Sequence, residues 1–134
     1  MSNNNQNMSA WMYVTANRLG QLGEKLAARH LEKQGFAIRD TNFRCPHGEI
    51  DIVAEKDNCL VFFEVRARSG SGFGTPEESV TETKKQHLIA TAQAYIQQHA
   101  DAPADWRIDV VAVEIDHRGK LQRLEIIENA ISEG

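Results

Sequence analysis

No apolar run in these 134 residues approaches the ~20 that a membrane-spanning helix needs. The first seven residues, Met1 to Asn7, contain no Lys or Arg and no apolar core, which excludes a secretory signal of the usual form. Residues 1–14 are therefore expected to be a flexible tail. The chain is expected to be cytoplasmic, with no membrane partner. Cysteine is almost as scarce. Cys45 and Cys59 are the two present, with no C-x-x-C pair and too few for a disulfide framework, so both are expected to be reduced thiols. A zinc site built on Cys45, His47 and Cys59 fits no familiar ligand spacing. Positive charge is in short supply too, with a net charge of −4. That weighs against a nucleic-acid partner, since phosphate contacts need cations. Distribution matters more than the sum: Arg39, Arg44, Arg66, Arg68, Lys84 and Lys85 lie mid-chain, whereas acids accumulate toward the C-terminus.

What remains is ordinary for one α/β domain over residues 15–134, with 41% hydrophobic and 25% charged residues. Ala16, Leu19, Leu22, Gly23, Leu26, Ala27, His30 and Leu31 recur at helical spacing and predict a helix over Thr15–Gln34. Gly20 and Gly23 are costly there unless something packs close against them. Strands are expected over 36–44, 49–55 and 60–68, with turns at Cys45–Gly48 and Lys56–Cys59. Ser69 to Gly74 is a connector or a loop that closes over substrate. Thr75-Pro76-Glu77-Glu78 marks a helical start, and a second helix is expected to run to about Gln98. Trp106–Ile115 is expected to be a buried strand, and Leu121–Ile127 an edge strand. The order is helix, three strands, helix, one or two strands. A right-handed parallel crossover joins the third and fourth strands, giving a mixed sheet with helices packed against it.

Chemistry concentrates in the hairpin of the second and third strands. A symmetric turn on Asp57-Asn58 pairs residues whose numbers sum to 115. Asp51 then faces Glu64, and Glu49 faces Arg66. Strict alternation puts these four on one face, with Ile50, Ile52, Ala54, Val61, Phe63 and Val65 on the other. Opposed carboxylates, with Cβ atoms only ~4.5–5.5 Å apart, repel each other. A shared proton, a neighbouring base or a divalent cation offsets that cost. Spacing alone is equally consistent with a solvated face in which Glu49 pairs with Arg66.

Gly48-Glu49-Ile50-Asp51-Ile52-Val53, followed by Phe62-Phe63-Glu64-Val65-Arg66-Ala67-Arg68, resembles the core signature of the YraN-like family of small bacterial proteins. Gly23-Glu24 in the first helix, Asn42-Phe43-Arg44-Cys45, Phe73-Gly74-Thr75-Pro76 and Arg107-Ile108-Asp109-Val110-Val111 match in the same order. The resemblance implies a restriction-endonuclease-like fold of the PD-(D/E)XK nuclease superfamily, similar to archaeal-type Holliday junction resolvases. It implies Asp51 and Glu64 as ligands of Mg²⁺ or Mn²⁺, Glu24 as an additional acid and the Val65 carbonyl as a further ligand. The lysine of that signature falls at position 66, where this chain has Arg66. Arg stays charged, with pKa above ~12, and is a poor general base. Lys84 or Lys85 could supply the missing amine.

The expected function is metal-dependent phosphodiester hydrolysis, with Glu24, Asp51, Glu64 and Arg66 catalytic. Arg44, Arg68, Lys84 and Lys85 are the expected contacts to nucleic acid, DNA before RNA and including branched forms. A homodimer is compatible with this reading. The alternatives are an inactive nucleic-acid-binding accessory protein of the same fold, and a structural partner whose acid face is an interface. His30 and His87 are expected to be packing or surface residues, and Asp109 to pair with Arg107.

Overall fold

The computed structural model describes the backbone of residues 4–70 and 74–132, and side chains from residue 18 onward within those bounds. The elements are α1 (Asn4–Lys33), β1 (Ala37–Cys45), β2 (Gly48–Lys56), β3 (Cys59–Ser69), a short 3-10 turn (Glu77–Ser79), α2 (Glu82–Gln98), β4 (Asp105–Ile115) and β5 (Leu121–Ile131). The strands form one five-stranded sheet in the order β1-β2-β3-β4-β5. Neighbours are antiparallel except β3 and β4, which run parallel from Cys59↔Asp105 to Ser69↔Ile115. That pairing follows from the α2 crossover, since parallel neighbours cannot be joined by a tight turn. No helix among the described residues is long and apolar enough to cross a membrane.

The two helices cover opposite faces of the sheet. Ala27 and Leu31 of α1 pack on Ile52, Ala54, Val61, Phe63, Val111 and Val113. Leu88, Ala92 and Tyr95 of α2 pack on Val53, Leu60, Phe62, Ile108 and Val110. Burial on both faces explains why β3 and β4 read as near-continuous apolar runs.

Three local expectations change. The first helix starts at Asn4, well before Thr15: no Gly or Pro occurs before Gly20 to stop it. Residues 1–3 of the expected tail, and residues 71–73 of the Ser69–Gly74 segment, lie outside the described residues. The second helix does not run from Pro76. Pro76 opens only the 3-10 turn, Val80 is extended, and Thr81 caps a new helix by accepting the Lys84 N–H at 3.1 Å. Leu22, placed on the apolar arc of α1, is 36% exposed.

Gly23 has the close neighbour that its position required. A Cβ there would lie 2.8 Å from the Ala67 Cβ on β3, whereas at Gly20 nothing lies within 4 Å. Both atoms of that clash sit one bond from backbone, so neither can swing away. Gly23→Ala is therefore expected to destabilise by ~1–3 kcal/mol. Gly20→Ala is expected to stabilise by up to ~1 kcal/mol. Urea unfolding of both variants checks the pair, and a stabilised Gly23→Ala protein would contradict the packing of α1 on β3.

Candidate carboxylate site at the opening of the central hairpin

Asp57 and Asn58 both adopt positive φ, 52° and 61°, as a tight hairpin turn with the sheet's twist requires. The register follows from them: Lys56↔Cys59, Glu55↔Leu60, Ala54↔Val61, Val53↔Phe62 and Ile52↔Phe63. The ladder then stops. Beyond it, the Val65 N–H is taken by the Asp51 side chain, Oδ2 accepting at 2.7 Å. The strands part here, and a carboxylate stands where a backbone carbonyl would.

The side chains of β2 change sides at the same point. Ile52 and Ala54 lie in the α1 core, but Ile50 joins Val53 in the α2 core. Strict alternation, with Ile50 sharing a face with Ile52, therefore fails at Asp51, the pivot residue. The expected Glu49–Arg66 ion pair is absent for the same reason. Glu49 instead pairs with Arg44, its β1 neighbour, at 2.9 Å. Arg66 Nε donates to Ser79 Oγ at 2.9 Å.

Four acids converge on this opening. Oxygens of Glu24 from α1 and of Glu49 and Asp51 from β2 all lie within 4.8 Å of one another. Glu64 comes from β3, is 5% exposed, and lies within proton-sharing reach of Asp51. Its Oε2 is buried without a hydrogen-bond partner. The nearest cation is Lys84 Nζ at 3.4 Å, an ion pair rather than a hydrogen bond. Thr81 sets this approach by capping α2 so that Lys84 falls in its first turn, where the helix dipole also favours a carboxylate.

The electrostatic consequence is large. Burial, then the Asp51 charge and its hydrogen bond, push the Glu64 carboxyl up to about 8, while Lys84 and Arg66 pull partly against them. Burial, then Asp51 and finally Glu49, push Glu24 up to about 7. Without a cation the cluster retains protons near neutral pH, as crowded carboxylates do.

Glu24, Asp51, Glu64 and Lys84 are thus brought together, with Arg66 close enough to act on Glu64. Arg44 flanks the cluster through Glu49. Lys85 shares the first turn of α2. Arg68 is turned toward β4, its Nη2 on Glu114 at 2.6 Å, with Nε and Nη1 buried and unpaired. Asp109 pairs with Arg107 at 3.0 Å, as expected. Ser79 and Arg123 carry no motif and Glu77 only a helix-start one, so their contacts escape sequence reasoning, whereas the Thr81 cap three residues before Lys84 is a readable signal.

A mixed α/β sheet with a helix on each face and a carboxylate cluster at the opening of its central hairpin defines the class. The chain belongs to the family described as "Uncharacterised protein family UPF0102", whose model matches residues 23–113. It is similar to a UPF0102 protein of Dehalococcoides mccartyi, 48% identical over 85% of this chain and 93% of that protein. A relative in Moorella thermoacetica is 44% identical over 89% of this chain and 99% of its own length, and one in Desulforamulus reducens is 38% identical over 90% and 100%.

Proposed function

We propose that the chain is a Mg²⁺- or Mn²⁺-dependent nuclease of restriction-endonuclease-like fold, hydrolysing phosphodiester bonds. The observation that carries this reading is the cluster of Glu24, Glu49 and Asp51 oxygens with buried Glu64 on the other side of Asp51, its Oε2 lacking a hydrogen-bond partner. Buried unsatisfied carboxylate oxygen is costly, and an all-oxygen donor set suits a hard divalent ion. Asp51 and Glu64 would hold that ion, with Glu24 and Glu49 beside them. When bound, it supplies neutralisation of the acids, polarisation of a phosphate oxygen and acidification of water.

The remaining roles belong to the chain's own cations. Arg66 supplies fixed positive charge for the phosphoryl oxygens of the transition state. Lys84 provides, from α2, the amine that a lysine at position 66 would otherwise bring. Its 3.4 Å approach to Glu64 puts it at the acids without occupying β3. Arg44 and Lys85 flank the cluster as backbone contacts for DNA or RNA.

The test is single-turnover cleavage of labelled duplex, single-stranded and branched DNA and of RNA, with Mn²⁺ and with chelator. Mn²⁺-dependent cleavage by the wild type is expected. Lys84→Gln should lower the rate by ~10²-fold and Arg66→Ala by ~10²–10³-fold. Arg66→Lys should change it little, because Lys84 already brings an amine. Salt-sensitive binding without cleavage of any substrate would replace the enzyme with a binding module, the reading that the fixed charge of Arg66 favours.

A further inference from the structure

Arg66 depends on its surroundings for its orientation. Its Nε donates to Ser79 Oγ at 2.9 Å, while the Ser79 hydroxyl donates to the Pro76 carbonyl. The serine proton is thereby committed to the turn, and its lone pairs are left for Arg66. Ser79 ends a 3-10 turn of three residues that buries none of them; buried Pro76 and Val80 pin its two ends, but packing does not fix the side chains between them.

A clamp from β5 does. Arg123 donates from Nη1 to Glu77 Oε1 at 3.0 Å and from Nη2 to Glu77 Oε2 at 2.7 Å. This fork-on-carboxylate contact fixes direction as well as distance. It holds the Glu77 carboxyl down at about 2. Arg123 Nη1 also reaches Glu114 Oε2 at 3.1 Å, and the other oxygen of Glu114 takes Arg68 Nη2. Arg68, Glu114 and Arg123 are direct neighbours across β3, β4 and β5, so the clamp is anchored on the sheet that carries Arg66.

We propose that Arg123 is the positioning residue for Arg66: by forking onto Glu77 it locks the 3-10 turn whose Ser79 orients the Arg66 guanidinium beside Glu64. The consequence for turnover rests on the nuclease reading; the positioning does not. Arg123 itself meets no substrate. It removes freedom from a flexible side chain that must be in place before phosphate arrives, and misplacement of such a group costs rate rather than binding.

The experiment therefore has two readouts. The first is the ¹⁵Nε–H signal of Arg66, which should exchange slowly with water in the wild type and in Arg118→Gln, an exposed control. It should exchange fast in Arg123→Gln and in Glu77→Gln, which opens the clamp from the turn side should loss of Arg123 impair folding. Arg123→Lys, able to make one contact but not the fork, should fall between. The second is single-turnover cleavage with Mn²⁺. Arg123→Gln should lower the rate ~10–10²-fold, leave the Mn²⁺-induced melting shift unchanged, and cost nothing further in an Arg66→Ala background. An Arg66 signal that is unprotected in the wild type, or unmoved by both clamp variants, overturns the proposal, as does an undiminished rate loss in the Arg66→Ala background. A clamp-dependent signal without cleavage of any nucleic acid upholds the positioning and defeats the nuclease reading instead.

Discussion

Asp51→Asn is expected to abolish metal-dependent cleavage while leaving the protein folded. Asp51 has two tasks at the opening of the hairpin: its Oδ2 accepts the Val65 N–H where the β2–β3 ladder ends, and its charge, which raises both Glu24 and Glu64 by repulsion, supplies the carboxylate that a cation would bind between them. Asparagine keeps a carbonyl oxygen of the same shape for the first task and removes the second. The loss should amount to the several kcal/mol that a metal contributes to a phosphoryl transition state, ~10³-fold or more in rate. The apo protein should not suffer, because a negative charge leaves a crowded acid site. Single-turnover rates with Mn²⁺, beside melting curves without it, check both halves. An Asp51→Asn enzyme as fast as the wild type would remove Asp51 from the site, and one that unfolds would contradict the crowded-acid account, in which loss of this charge relieves repulsion.

The hairpin was readable because its determinants are local. Asp57-Asn58 supplies the turn, and the turn sets the pairing as far as Ile52↔Phe63. That register singles out Glu64 and Asp51, and Asp51 lies close enough to act on the Glu64 carboxyl. The way they meet was not readable. Alternation assumes a continuous ladder, whereas β2 releases β3 at Asp51 while still pairing with β1 through Phe43↔Ile50 and Arg44↔Glu49. A tertiary event decides that release: Ile50 buries under α2 and Ile52 under α1. Glu49 pairs with Arg44 on β1 rather than with Arg66 on β3 for the same reason. Pro76 and Thr81 are both good helix starters, and the extended Val80 between them decides which one opens α2. Arg123 lay beyond sequence reasoning altogether. It sits in an edge strand with no motif around it, and its partner Glu77 is 46 residues away.

Metal-free stability is expected to fall as pH rises from 5 to 8, and Mn²⁺ to reverse that fall. The ordinary carboxyl value of 4.5 is raised to about 7 at Glu24 and about 8 at Glu64. Between the ordinary and raised values the folded state holds protons that the unfolded chain has released, so stability declines with pH in that window. Below it both states are protonated and above it neither is, so the slope belongs to the window alone. Glu24 is only partly buried and contributes less than its shift suggests; buried Glu64 should dominate. A cation binds the deprotonated acids, so the Mn²⁺ shift in melting temperature should be small at pH 5.5 and large at pH 8. At a hundredfold excess over its dissociation constant the gain is ~2.7 kcal/mol, roughly 10 °C for a chain of this size. Glu64→Gln keeps the volume and loses the titration, so its apo melting temperature at pH 8 should exceed that of the wild type, its pH slope should flatten, and its Mn²⁺ shift should largely vanish. Melting curves of both proteins at pH 5.5, 7 and 8, with chelator or Mn²⁺, provide the measurement. A wild-type melting temperature that rises with pH would contradict the crowded-acid account, and equal Mn²⁺ shifts in the two proteins would move the cation away from Glu64.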